Sequence, residues 1–323
     1  MSKLAELRKR LLEQEQKTNN NSYSDNTIYP FWNMNDNSTA TIRFLPDADS
    51  ENVYFWRERQ MIKLQFSGIK GQDETKPVTV NVPCMEMWEG EKCPIHDEIR
   101  PWFKDGNLEE TARKFWKKRS YIFQGLVVDS PIKEDNEPEN PIRRLIISPQ
   151  IFNIIKAALM DPDFPEMPTD YEAGTDFKIN KTPNGQYSTY TTSSWARRER
   201  SLTQNERDSI DNFGLFTLND FLPKKPNEQE LQAIFDMFEA SLDGQLYDPE
   251  KFEQFYKPVG YNSENSSNGS SSNDTNTPTK TEKKVEEKVE EPEVESNESS
   301  DESSSGGKNA QDILAAIRNR KAS

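Results

Sequence analysis

Apolar and polar positions begin to alternate at Thr39. Ala40, Ile42 and Phe44 alternate with polar neighbours through residues 39–46, and Val78, Val80 and Val82 do the same in the run ending at Cys84. Successive side chains on a strand point to opposite faces, so both runs predict strands with one buried face. Further strand-like stretches lie at 53–66, 121–128, 143–148, 176–180 and 186–192. The period changes to that of a helix at 149–160, where Pro149 stands near the start and Ile151, Ile154, Ile155, Ala158 and Leu159 share a face. It does so again at 227–242, with Leu231, Ile234, Phe235, Phe238 and Leu242 as the stripe. Both stripes are predicted core. Many short strands with few helices between them predict a mainly β protein with helices, built on a small barrel.

The two ends break this pattern. Residues 3–16 read as a helix with Leu4, Leu7 and Leu11 at helical spacing and Arg8, Lys9 and Arg10 between them. The Asn- and Ser-rich stretch that follows makes residues 1–21 an arm on a hinge. From 261 to 307 the only aliphatic or aromatic residues are Tyr261, Val285, Val289 and Val294. Such a segment cannot bury enough surface to offset its ordering entropy, so a disordered tail is predicted over 259–323. Within it, residues 282–302 hold ten acids and three lysines, a net charge of −7. Ile313, Leu314 and Ile317 then form one face of a short amphipathic helix that ends in Arg318, Arg320 and Lys321.

Composition narrows the function classes. Of the 323 residues 32% are hydrophobic and the net charge is −15, too little apolar material for one core spanning the whole chain. No stretch approaches the roughly 18 apolar residues of a membrane span, and residues 1–14 are charged where a signal peptide would be apolar. A soluble, intracellular protein that binds no membrane is expected. Two cysteines cannot build a disulfide framework, and the single histidine, His96, excludes most histidine-based catalysis. Phosphate-loop, Gly-x-Ser-x-Gly and His-Glu-x-x-His signatures are all missing, so the chain is not expected to be an enzyme.

The pattern that remains is cations interleaved with rings. Residues 113–123 carry five cations and four aromatics, among them Lys114, Trp116, Lys117, Lys118, Arg119 and Tyr121. A phosphate chain needs cations spaced along a groove, and an unpaired base needs a flat π surface, so this mixture suits single-stranded nucleic acid. Arg143 and Arg144 form a second group; Lys178 and Lys181, followed by Tyr187, Tyr190, Trp195 and the cations 197, 198 and 200, form a third. Cys84, Cys93 and His96 have the spacing of zinc ligands, but a closed site needs four and the chain has no further Cys or His. A subdomain held by Trp88, Pro94 and Ile95 without metal is the preferred reading, and zinc is the alternative.

In this order the features resemble the single-stranded DNA-binding (helix-destabilising) proteins of the T-even bacteriophages and their marine cyanophage and pelagiphage relatives. The likeness rests on Ile42-Arg43-Phe44-Leu45-Pro46, the segment from Cys84 to His96, Lys117-Lys118-Arg119-Ser120-Tyr121 leading into Leu126-Val127-Val128, Arg143-Arg144, and Tyr187 with Tyr190 before an acidic tail. It implies an OB-fold core over 22–258 with a smaller adjoining subdomain around 84–115, in the cytoplasm of a bacterial host. It further implies sequence-nonspecific, cooperative coating of single-stranded DNA in replication, recombination and repair. The arm, with Arg8, Lys9 and Arg10, would mediate self-association along DNA. The acidic tail would recruit phage replication proteins such as a polymerase or a helicase loader. T-even members complete their zinc site with one histidine and three cysteines, whereas here His96 stands where the last cysteine would be. The competing reading is a scaffold or adaptor that acts through its tail and terminal helix and never touches nucleic acid.

Overall fold

The computed structural model describes residues 27–72, 76–134, 137–164 and 166–261. The expected arm with Arg8, Lys9 and Arg10, and nearly all of the expected tail, lie outside the described residues. The strands are β1 (Ser38–Leu45), β2 (Trp56–Phe66), β3 (Val78–Pro83), β4 (Lys118–Asp129), β5 (Ile142–Ile147), β6 (Gly174–Asn184), β7 (Tyr187–Thr189) and β8 (Ser194–Arg200). The α-helices are α1 (Pro94–Ile99), α2 (Glu109–Phe115), α3 (Pro149–Leu159), α4 (Gln204–Phe213), α5 (Glu228–Leu242) and α6 (Pro249–Phe252). The protein is mainly antiparallel sheet with helices around an OB-like core, as the alternating runs predict.

β4 organises the sheet. Lys118–Phe123 pairs with β2 and Gln124–Asp129 with β1, while Tyr121–Leu126 pairs with β5. Because a strand has only two edges, β1 and β2 must lie end to end along one of them, and the chain from Pro46 to Phe55 loops out at their junction. At this crossing β1 and β4 approach so closely that a Cβ on Gly125 would sit 2.5 Å from the carbonyl oxygen of Arg43. β1 continues on its other edge into β6, which in turn holds β7 and β8.

Alternation places Ile42, Phe44, Phe123, Leu145, Ile147, Phe177 and Ile179 inside, where Ile151, Phe152 and Ile155 of α3 close the core. A second core gathers the far half of β2, β3, α1, α2, α5 and Tyr247. The residues around 84–115 thus share a core with α5, whose stripe meets it through Ile234, Met237 and Phe238. α5 opens with a capping box in which Asn227 and Glu230 satisfy each other's backbone N–H groups.

Four helices, α1, α2, α4 and the four-residue α6, and one strand, β8, were not apparent in the hydrophobic pattern. α1 and α2 have six and seven residues, too short to show a period. α2 also changes the reading of residues 113–123: Arg113 and Lys114 close a helix, with Glu109 and Glu110 as their i,i+4 partners, and only from Lys118 is the segment strand. α4 buries no residue fully, and β8 carries charge at most positions.

A buried ion network ties the barrel to its outer segment. The Arg43 side chain is fully buried and reaches Asp176 at 3.1 Å; Asp176 also receives Arg200 at 2.7 Å, and Arg200 pairs with Glu206 at 2.8 Å. Burial would raise the Glu206 carboxyl, but Arg200 and the backbone and hydroxyl of Thr203 outweigh it and hold the group at about 2.

Candidate nucleic-acid interface

Two sets of side chains present exposed rings, the second with cations nearby that are unpaired among the described residues. The first stands on the loop between β1 and β2. Asp47 accepts from Asn52 at 2.7 Å and from the Leu218 backbone at 3.0 Å, and Asp49 pairs with Arg57 at 2.7 Å, so the loop is fixed from both sides. It presents Tyr54, 59% exposed, whose ring centroid lies 4.9 Å from that of Trp56. Trp56 is backed by Phe123 at 5.7 Å and Phe152 at 5.3 Å. Tyr54 is therefore the outer end of a ring stack rooted in the core, a flat surface held in place before any ligand arrives.

The second set belongs to β6, β7 and β8. Asn184 pairs with Tyr187 across a two-residue turn whose first residue, Gly185, has φ +63° as such hairpins require. The tip carries Tyr187, 60% exposed. Its base is pinned by Lys181, whose ammonium donates to the Trp32 and Met34 carbonyls at 2.8 Å each, and by Ser188 with Asp36 at 2.6 Å. On the neighbouring strands Lys178, Arg197 and Arg198 are exposed, and among the described residues none has an ion-pair partner. They line, with Trp195, an open depression of about 390 Å³. The buried rings of Phe44 and Phe55 link Trp195 to Trp56, so both sets rest on one aromatic core.

The other expected site residues are placed differently. Lys118 is exposed and has no ion-pair partner among the described residues. Lys114 is exposed but pairs with Glu110 at 3.4 Å, and Arg119 pairs with Glu58 at 3.4 Å. Lys117 is largely buried and holds Glu86 at 2.8 Å, and Trp116 stacks on His96 with centroids 4.2 Å apart. Tyr121 is buried face to face with Phe152 at 3.5 Å. Tyr190 is 7% exposed and edge-on to Phe31, and burial, followed by Asp36, pushes its hydroxyl up to about 12.

Arg143 and Arg144 are buried too. Arg143 pairs with Glu134 at 2.8 Å, and Arg144 lies 3.7 Å over the Phe221 ring, where burial lowers its pKa to about 10. These two guanidiniums anchor the segment at Thr27 and Ile28 and the turn at Phe221 to β5. Tyr54 and Trp56 were not singled out by the sequence reading, whereas Arg197 and Arg198 already stood in its third group of rings and cations. For the first two the signal was present: residues 53–59 interleave three rings with two cations.

The Cys84, Cys93 and His96 donor atoms lie within 4.8 Å of one another, all buried, and no other Cys, His, Asp or Glu joins them among the described residues. The Lys117 backbone N–H donates to His96 Nε2 at 3.2 Å, so the ring carries its proton on Nδ1, which faces Glu86 at 3.1 Å. Burial would raise Glu86, but Lys117, His96 and Arg100 hold it at about 2. Between the thiols, a hydrogen bond from Cys84 lowers Cys93 to about 6 and raises Cys84 itself. The cluster could hold a metal ion, but it supplies only three corners of a tetrahedron, one ligand short of a closed structural zinc site.

Residues 36–239 match the family model described as gp32 DNA binding protein like, a span that includes β1 to β8 and the exposed rings and cations above. The chain belongs to this gp32-like DNA-binding family. The match covers more than half of the sequence, including Tyr54, Tyr187, Lys178, Arg197 and Arg198. No curated protein matches the chain. Among the described residues no helix is long and apolar enough to cross a membrane. For a gp32-like protein, the local geometry separates ring and cation side chains that face solvent from those that brace its two cores.

Proposed function

We propose that this protein binds single-stranded DNA without regard to sequence, through stacking on Tyr54 and Tyr187 and phosphate neutralisation by Lys118, Lys178, Arg197 and Arg198. The observation that carries this reading is the exposed rings of Tyr54 and Tyr187 on a surface with exposed cations that have no ion-pair partner among the described residues. A duplex hides its base faces and would have no use for the rings, whereas an unpaired strand offers both a base plane and a phosphate at each step. The overall charge of −15 does not oppose this, because local distribution governs what a surface attracts.

Within this reading the arm at 1–21, with Arg8, Lys9 and Arg10, links neighbouring molecules along the strand, and the acidic tail beyond residue 259 recruits replication proteins. The protein coats DNA for replication, recombination and repair, carries no catalytic group, and holds its Cys84–His96 node without metal. Support comes from the family match and from a donor set one ligand short. The decisive measurement is intrinsic fluorescence titrated with oligo-dT, oligo-rU and duplex DNA at two salt concentrations. Quenching by the single strand, weakened by salt and absent or weaker with duplex, is expected. No quenching by any of the three would favour the scaffold reading. Deleting residues 1–18 should leave a one-site oligonucleotide bound and weaken binding to long strands.

A further inference from the structure

At the tip of the hairpin between β6 and β7, Asn184 is followed by Gly185, the pairing that leaves an asparagine amide most open to attack by its own main chain. Any other residue after Asn184 would shield its backbone nitrogen with a side chain. Gly185 has none, and a Cβ placed on it would meet nothing within 4 Å, so this nitrogen stands in open space. Its N–H donates to no backbone carbonyl among the described residues. Asn184 is exposed as well, and among the described residues no hydrogen bond holds its side-chain amide. The anchors at Lys181 and Ser188 lie below the tip. β1 runs beside β6 only as far as Lys181 and β8 only as far as Lys178, so the pairs of Thr182 with Thr189, Pro183 with Ser188 and Asn184 with Tyr187 form a ribbon of two strands. Such a ribbon is marginal in water, and its terminal pair opens first.

We propose that Asn184 is a site of spontaneous deamidation, and that its conversion retires the neighbouring Tyr187 platform as the protein ages. When the terminal pair opens, the Gly185 nitrogen gives up its proton to water or hydroxide and attacks Asn184 Cγ. The new C–N bond closes a succinimide ring, and the side-chain nitrogen leaves as ammonia. Water then opens the ring at one of its two carbonyls. Breaking the Cγ–N bond gives aspartate on an intact main chain; breaking the bond to the main-chain carbonyl gives isoaspartate, whose chain runs on through Cβ and Cγ. The sum is one water consumed and one ammonia released, with no oxidant or reductant. Either product sets a carboxylate across the turn from Tyr187, where an approaching phosphate would meet like charge. Isoaspartate also lengthens the main chain beside the Asn184–Tyr187 pair and so breaks the register that holds the ring at the tip. The consequence for DNA rests on the single-stranded DNA reading, whereas the modification itself does not.

The test ages the full chain and its Asn184→Gln variant, whose longer side chain closes a ring far more slowly, in warm, mildly alkaline buffer. Peptide mass spectrometry then reads the change from amide to acid, and enzymatic methylation counts isoaspartate. The second Asn-Gly pair of the chain, Asn268 with Gly269, serves as an internal clock. The peptide holding Asn184 should gain acid and isoaspartate alongside the one holding Asn268. Conversion at Asn268 with Asn184 intact would overturn the site, because the tip would then be too rigid for ring closure. Converted wild type should bind oligo-dT on the order of ten-fold more weakly than fresh protein, the loss of one stacked base, and aged Asn184→Gln should bind as when fresh. Unchanged affinity after conversion, or an equal loss in aged Asn184→Gln, would overturn the link to Tyr187. Fresh protein that does not bind oligo-dT would instead sink the single-stranded DNA reading, with the mass spectra still deciding the modification site.

Discussion

Tyr187 and Tyr190 stand three residues apart on one hairpin and should respond to alanine in opposite ways. Tyr187 is 60% exposed at the tip, while Tyr190 is 7% exposed and packed edge-on to Phe31 at 5.5 Å. Removing Tyr187 takes away a base platform and no core, so affinity for oligo-dT should fall by roughly 1–3 kcal/mol, or about 5- to 150-fold. Its Tm should stay within about 2 °C of wild type, as for other surface changes. Removing Tyr190 empties a ring-sized space beside Phe31, and by analogy with large aromatic truncations should cost about 3–5 kcal/mol of stability. For a domain of this size that is a fall of about 6 to 20 °C in Tm. Thermal unfolding by circular dichroism, with fluorescence titrations below the lowest Tm, separates the two effects. If Tyr190→Ala loses affinity at full stability, or Tyr187→Ala melts early and binds normally, then exposure is the wrong criterion for the platform.

The cations separate in the same manner. Replacing Lys178, Arg197 or Arg198 with alanine should each flatten the slope of log affinity against log salt by about 0.7 if it holds one phosphate. Arg144→Ala should leave that slope alone and lower the Tm, because its guanidinium serves the Phe221 ring and Thr27; the same salt titration checks the slope and a thermal melt the Tm. Acid should weaken the Arg200–Glu206 contact. A Glu206 held at about 2 against an ordinary 4.5 contributes stability that is complete above pH 4.5 and lost as pH falls toward 2. Tm measured from pH 7 to 2 should therefore show Glu206→Gln below wild type at neutral pH and converging with it near pH 2; a constant gap would contradict the assignment. Metal analysis of protein purified without chelator should give well under one zinc per chain, and a stoichiometric zinc lost in Cys93→Ser would refute the metal-free node.

By itself the sequence determined the fold class and most of its parts. Period-two runs such as Ala40, Ile42 and Phe44 dictate which face of a strand leaves water, and that constraint is local, so β1 to β7 and the two long helices could be read directly. The DNA-binding family was legible as well, in the order of motifs, cations and rings along the chain. What only tertiary structure decided is which of those side chains are free. Arg143 and Arg144 read like phosphate ligands, but Glu134, Thr27 and Phe221 reach them from three other segments, and nothing near 143 announces those partners. Trp116 and Lys117 are claimed in the same way by His96 and Glu86. Tyr54 gained its place only when Asp47, Asn52 and Trp56 fixed the loop beneath it. A ring or a guanidinium has the same local signal whether it faces solvent or a distant partner, because burial is set by which segments the fold brings together.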